Sequence, residues 1–146
     1  MNKSDKDTKN LRILRLLLFC GGFGFFISIF GVFMPWAAVA DQLQELGAKN
    51  LPADPMLNYW LRMQAGANTF VGFFFFALAF NPETYKNVLS FAWIFLIGEG
   101  FLLLTWGLVL GLSPLPFVVD SLFCLIIGIG IWLSSRSSIN YTGQDE

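Results

Sequence analysis

Residues 100–120 read GFLLLTWGLVLGLSPLPFVVD, and the division of this stretch decides the fold. It opens with twenty consecutive uncharged residues, Gly100 to Val119, and closes on Asp120. About 20 apolar residues are enough for one helix to cross the hydrocarbon core, so the stretch can pass for a single span. Gly111-Leu112-Ser113-Pro114 argues against that. Glycine suits the C′ position, where a left-handed residue ends a helix. Ser-Pro suits the start of the next one. One helix is therefore expected to end near Leu110 and another to begin at Pro114.

The neighbouring segments divide by the same rules. Asn81-Pro82-Glu83 places the start of the third helix at 82, giving a span of about 82–110, and the fourth runs over about 114–135. Met63 to Phe80 carries no charge. Asp54 as N-cap and Pro55 at the first helical position extend that span to about 55–80. Leu16 to Met34 is also charge-free, and apolar Leu11, Ile13 and Leu14 extend it to about 11–35. Barrel strands alternate polar and apolar residues, whereas Phe73 to Phe76 and Phe101 to Leu104 do not. The expected fold is all-α, an integral membrane four-helix bundle. A basic tail (1–10) and a C-terminal tail (136–146) flank one domain at 11–135.

Segment 36–54 lies between the first two spans. Trp36, Val39, Leu43 and Leu46 recur there at helical spacing, with Asp41, Gln42 and Glu45 largely on other faces. A short interfacial helix is expected, anchored by Trp36 and ended by Gly47.

Composition agrees with a membrane protein. Of 146 residues, 55% are hydrophobic and 13% charged, where soluble domains carry about 25% charged. Mean hydropathy is +0.62. There is no histidine, which removes His-liganded metals and Ser-His or Cys-His nucleophiles. Cys20 and Cys124 sit in apolar runs without CxxC spacing, so no metal site and no cofactor is expected. A net charge of −1 gives no basic balance for nucleic acid. Gly21-Gly22-x-Gly24 follows no strand and lies within a span, which excludes a nucleotide-binding reading.

Lys and Arg in short loops set orientation. Lys3, Lys6, Lys9, Arg12, Arg15, Lys86 and Arg136 fall on one side, seven of the nine basic residues. Both termini are expected to be cytoplasmic. A competing reading takes the first span as a signal peptide cleaved after Ala38-Val39-Ala40. Its charge-free stretch of 19 residues exceeds the usual apolar region of about 7–15, which favours a retained span.

Charges inside a span are expensive and are functional hypotheses by default, each costing about 2.5–3.5 kcal/mol at the centre on insertion scales. Three stand out: Arg62 in the second span, Glu99 in the third and Asp120 in the fourth. Arg62 and Asp120 fall at similar depth. They can pair and lock two helices, reach the headgroups, or line a polar cavity. Glu99 lies near the midplane between Gly98 and Gly100. An uncharged Glu99 carboxyl would donate a hydrogen bond to Asn68 or Thr69 on the second span, or to Ser28 on the first. Alternatively it binds a ligand or handles protons, or it meets a partner subunit. Helical spacing aligns Arg62, Thr69 and Gly72; Gly21, Gly24, Ser28 and Gly31; Ala92, Glu99 and Trp106; and Asp120, Cys124 and Gly128. Turning these faces inward leaves the phenylalanines to lipid. The glycine seam reads as close helix packing.

The four-span pattern resembles small DoxX-like bacterial membrane proteins. Leu61-Arg62-Met63-Gln64-Ala65-Gly66 with Gly72, and Pro114 or Pro116 followed by Asp120, are similar to a subgroup of unknown function. The resemblance covers 11–135 and implies a four-helix bundle in the bacterial inner membrane, associated with other membrane components. At Gly98-Glu99-Gly100 this chain departs from it, since a basic residue would be expected there. Two functions follow as expectations. The first is a non-enzymatic protein that binds a membrane partner, a second copy of itself or an apolar small molecule through its polar intramembrane face. There Arg62, Asn68, Thr69, Glu99 and Asp120 are the candidate contacts. The second is an enzyme or carrier for a lipid-like substrate, with Glu99 as acid or base. A proton or ion channel is the weakest reading.

Overall fold

Gly111 adopts φ +61° in the computed structural model, the left-handed conformation that a helix-ending glycine supplies. The amides of Gly111 and Leu112 turn back onto the carbonyls of Leu108 and Gly107. The deciding stretch is therefore two helices. The structure describes residues 3–49 and 51–139, with side-chain surroundings described for 8–49 and 51–135. Six helices follow in order: α1 (Lys3–Phe26), α2 (Ile29–Phe33), α3 (Trp36–Glu45), α4 (Pro55–Phe80), α5 (Lys86–Val109) and α6 (Pro114–Ile139). No strand occurs among the described residues. Four segments are long and apolar enough to cross a membrane: Thr8–Phe33, Pro55–Phe80, Lys86–Val109 and Pro114–Ser135.

Several boundaries follow the sequence rules. Asp54 caps α4, its carboxylate accepting from the Met56 amide at 2.8 Å, and Pro55 takes the first helical position. Gly47, at φ +103°, ends α3, and the Ala48 amide returns to the Leu43 carbonyl. Others differ. The first span is broken at Ile27–Ser28, where the Ser28 amide bonds to the Phe25 carbonyl three residues back instead of four. Residues 82–85 form turns, so the third span starts at Lys86 and not at 82. Pro82 itself is fully buried. The segment read as a tail, 1–10, is helical from Lys3 onward, and α6 runs on to Ile139. Residues 1, 2 and 140–146 of the two expected tails lie outside the described residues.

Two helix pairs, α1 with α4 and α5 with α6, join through α1 against α6, and α2 packs on α4. The order across the bundle is thus α4–α1–α6–α5. Consecutive helices α4 and α5 are not packed along one another.

The glycine seam explains the closest approaches. A Cβ on Gly72 would sit 2.6 Å from the Phe26 amide nitrogen and 2.8 Å from the Gly22 carbonyl oxygen, so α1 and α4 cross backbone on backbone. Gly24 faces the Phe123 ring, and Gly21 faces Phe75 and Ile127. This space draws rings inward. Phe75 is 1% exposed and stacks on Phe25 at 6.0 Å. The expectation that phenylalanines face lipid therefore holds for Phe23, Phe70 and Phe91, which are exposed, and fails for Phe75. Leu14, Leu18, Leu78, Ala79, Leu89, Ala92, Leu96 and Ile131 complete a core in the half of the bundle that carries the termini.

Candidate functional site

The other half of the bundle, toward α3, has fewer buried side chains and carries Arg62, Glu99 and Asp120. A cleft of about 510 Å³ lies there, lined by residues of all four spans. Its polar lining is Ser28 from the first span, Gln64 and Asn68 from α4, Glu99 from α5, and Asp120 and Cys124 from α6. Gly24, Phe25, Ile27, Leu103 and Phe123 supply the apolar walls. Depth follows from helix rise, about 1.5 Å per residue. Asp120 lies roughly 9 Å from the start of α6, and Gln64 and Glu99 roughly 14–15 Å from the α3 ends of their helices. The cleft is therefore within the spans and not at their rim.

Each lining side chain has a local reason for its position. Gln64 and Asn68 are four residues apart on one face of α4, and the Gln64 amide donates to Asn68 Oδ1 at 3.0 Å. Asp120 and Cys124 are four apart on α6. Glu99 stands between two different glycines. A Cβ on Gly100 would meet Leu125 at 2.8 Å, so that side of α5 is pressed onto α6. A Cβ on Gly98 would meet nothing within 4 Å. The α5 backbone beside Glu99 is tight toward α6 and open at Gly98.

Neither Glu99 nor Asp120 has a hydrogen-bond or ion-pair partner among the described residues. The expected hydrogen bond from Glu99 to Asn68, Thr69 or Ser28 is not formed. Asn68 is engaged by Gln64, and the Thr69 hydroxyl donates to the Ala65 carbonyl of its own helix at 2.8 Å. Thr69 is buried and stands apart from the cleft lining. Cys124 is 4% exposed and makes no hydrogen bond among the described residues.

Arg62 also stands apart from the cleft. Its Nε donates to Asn58 Oδ1 at 2.8 Å, one Nη to the Met34 carbonyl at 2.9 Å and the other Nη to the Val32 carbonyl. These carbonyls lie at the C-terminal end of α2, where the helix dipole favours a cation and the last carbonyls lack intrahelical partners. An ion pair between Arg62 and Asp120 is absent among the described residues, because the guanidinium is already committed to α2. Asn68, Glu99 and Asp120 are thus brought together, and Arg62 and Thr69 are not.

The cleft also includes residues the sequence reading had not placed in it. Gln64 was legible only as part of a motif, though its four-residue spacing from Asn68 was a usable signal. Cys124 aligns with Asp120 on one face of the fourth span but was not named as a contact. No group of three or more metal-ligating side chains occurs among the described residues. Comparison with protein-family models, with curated proteins and with solved structures finds no match for this chain.

Proposed function

We propose that this chain is a small multi-pass membrane protein that binds a membrane-embedded small molecule in the cleft between α4 and α5. The observation that carries this reading is the convergence of polar side chains from all four spans on one cavity at membrane depth. Polar groups within a span are costly unless they are satisfied. Here two carboxylates have no protein partner among the described residues, and Gln64 and Asp120 are exposed. A cleft of about 510 Å³ falls in the usual range for ligand pockets, about 300–1,000 Å³. Because α4 and α5 are not packed together, the cleft opens sideways, so a ligand enters from the bilayer. The basic residues near both termini orient the protein with those termini in the cytoplasm.

Native mass spectrometry of the protein released from mild detergent tests this. A retained small molecule, lost when Asn68 and Glu99 are both replaced by leucine, is the expected outcome. Retention of a second protein subunit with no small molecule would replace this reading with a helix from a partner filling the gap. A second reading has its own support in the unpartnered Glu99 carboxylate: an enzyme or carrier for a lipid-like substrate, with Glu99 as acid or base. Glu99→Gln keeps the shape and removes the ionisable proton. Unchanged function in that variant rejects acid–base chemistry while leaving binding intact.

A further inference from the structure

We infer that the ligand of this cleft is an amphipathic organic cation, an amine or quaternary ammonium headgroup on a hydrocarbon body. The inference rests on the binding reading above and names its ligand class.

Charge comes first. The lining contains Glu99 and Asp120 and no lysine or arginine. Arg62, the cation nearest in depth, is held by Asn58 and by the carbonyls of Val32 and Met34. Among the remaining described basic side chains, Lys9, Arg12 and Arg15 lie on α1 at least nine residues before Gly24, Lys86 begins α5, and Lys49 follows α3; none lines the cleft. Among the described residues, no protein cation therefore answers the two carboxylates. An anionic headgroup would add a third negative charge where low dielectric leaves repulsion poorly screened. A cationic one would turn two unpartnered groups into partners.

The walls point the same way. Phe25 and Phe123 both line the cleft, edge to face with ring centroids 6.3 Å apart. Aromatic faces attract cations, and quaternary ammonium groups are the ligands that aromatic walls hold best. Cys124, 4% exposed and without a hydrogen bond, puts a polarisable sulfur on the same surface. Among the described residues Glu99 and Asp120 are not grouped with a third metal-ligating side chain, and hard metal ions take about six or more oxygen ligands, which favours an organic cation. Ile27 and Leu103 add apolar lining for a hydrocarbon body. A headgroup at Glu99 and Asp120 with a tail leaving between α4 and α5 fits this distribution.

The test uses the full chain in nanodiscs of digalactosyldiacylglycerol, an uncharged lipid without an ammonium group, with radiolabelled dodecyltrimethylammonium as probe, displaced by unlabelled compounds of equal chain length. Saturable binding is expected. The unlabelled cation should displace the probe at least about tenfold more effectively than dodecyl maltoside or dodecyl sulfate. Glu99→Gln combined with Asp120→Asn should weaken probe binding by about tenfold or more. The headgroup comparison needs no variant, so a folding defect in the double substitution does not obscure it. Equal displacement by all three headgroups would overturn the cation inference and keep the binding cleft. Stronger displacement by dodecyl sulfate would overturn it as well. No saturable binding of any of the three would remove both the inference and the binding reading.

Discussion

The two halves of this bundle are built from the same four helices and solve opposite problems. Toward the termini, Leu14, Leu18, Leu78, Leu96 and Ile131 interlock with almost no exposure. Glycines there let backbones touch, as at Gly22 and Gly72. Toward α3, a cleft opens among the same helices, lined by Ser28, Gln64, Asn68, Glu99 and Asp120. In lipid, helices associate through close packing and interhelical hydrogen bonds, because apolar surface gains nothing by leaving an apolar solvent. The tight half supplies that association. The polar half holds its shape because the tight half fixes where its helices start, and because Arg62 and Ser113 fasten its far end. The Ser113 hydroxyl donates to the Leu46 carbonyl at 2.9 Å, tying the α5–α6 connection to the end of α3.

Substitutions on either side of this divide should behave differently. The largest effect is expected at Arg62, the fastening of the polar half. Arg62→Ala leaves the Val32 and Met34 carbonyls without their donor and should destabilise by about 2–4 kcal/mol. The readout is the midpoint of unfolding in a detergent titration. A loss under about 1 kcal/mol would show that water replaces the guanidinium freely, and the fastening would not be structural. Next comes Gly72→Ala in the tight half. Its new methyl meets backbone on α1, so overpacking should cost about 1–3 kcal/mol. Unaltered stability there would mean that the α1–α4 crossing can part without penalty.

Smaller and of opposite sign is the effect at the cleft itself. Replacing Glu99 by Gln and Asp120 by Asn removes two unpartnered carboxylates from the spans. Stability in the absence of ligand should stay level or rise by roughly 1 kcal/mol, while ligand retention falls. A marked loss of stability would instead mark both carboxylates as structural. Smallest of all is Gly98→Ala, where the added methyl meets open space. The change should lie within about 0.5 kcal/mol, or gain slightly from alanine's helix propensity. Crosslinking between engineered cysteines on α4 and α5 would sharpen the comparison further. Efficient bridging at their α3 ends would mean that the gap closes.

Sequence rules reached much of this fold because its punctuation is chemical. Asp54-Pro55 and Gly111 each perform a task that few other residues can, so helix ends at those positions are readable. The break at Ile27–Ser28 is not readable in the same way, since neither residue is a helix breaker and the surrounding run is uniformly apolar. Lys86 as the start of α5 was missed because Asn81-Pro82-Glu83 offers a helix start that the chain uses only for turns. Among site residues, Asn68, Glu99 and Asp120 could be nominated because polar side chains are rare within spans. What could not be read was which of them share a cavity. Arg62 shows why. Its partners are backbone carbonyls at the end of α2, and a backbone acceptor leaves no mark in the sequence. Thr69 shows the complementary case, a polar residue satisfied by its own helix.

The Arg62 fastening also bears on time. Every acceptor that Arg62 uses, at Val32, Met34 and Asn58, lies before the end of α4. A nascent chain that has reached Asn81 already holds every hydrogen-bond acceptor of its intramembrane cation without α5 or α6. Glu99 and Asp120 arrive only with those last two helices. The cleft is therefore the last part of the bundle to be assembled, and it is added to a pair of helices whose guanidinium is already hydrogen-bonded. A fragment ending at Asn81 should accordingly insert and resist extraction from the membrane.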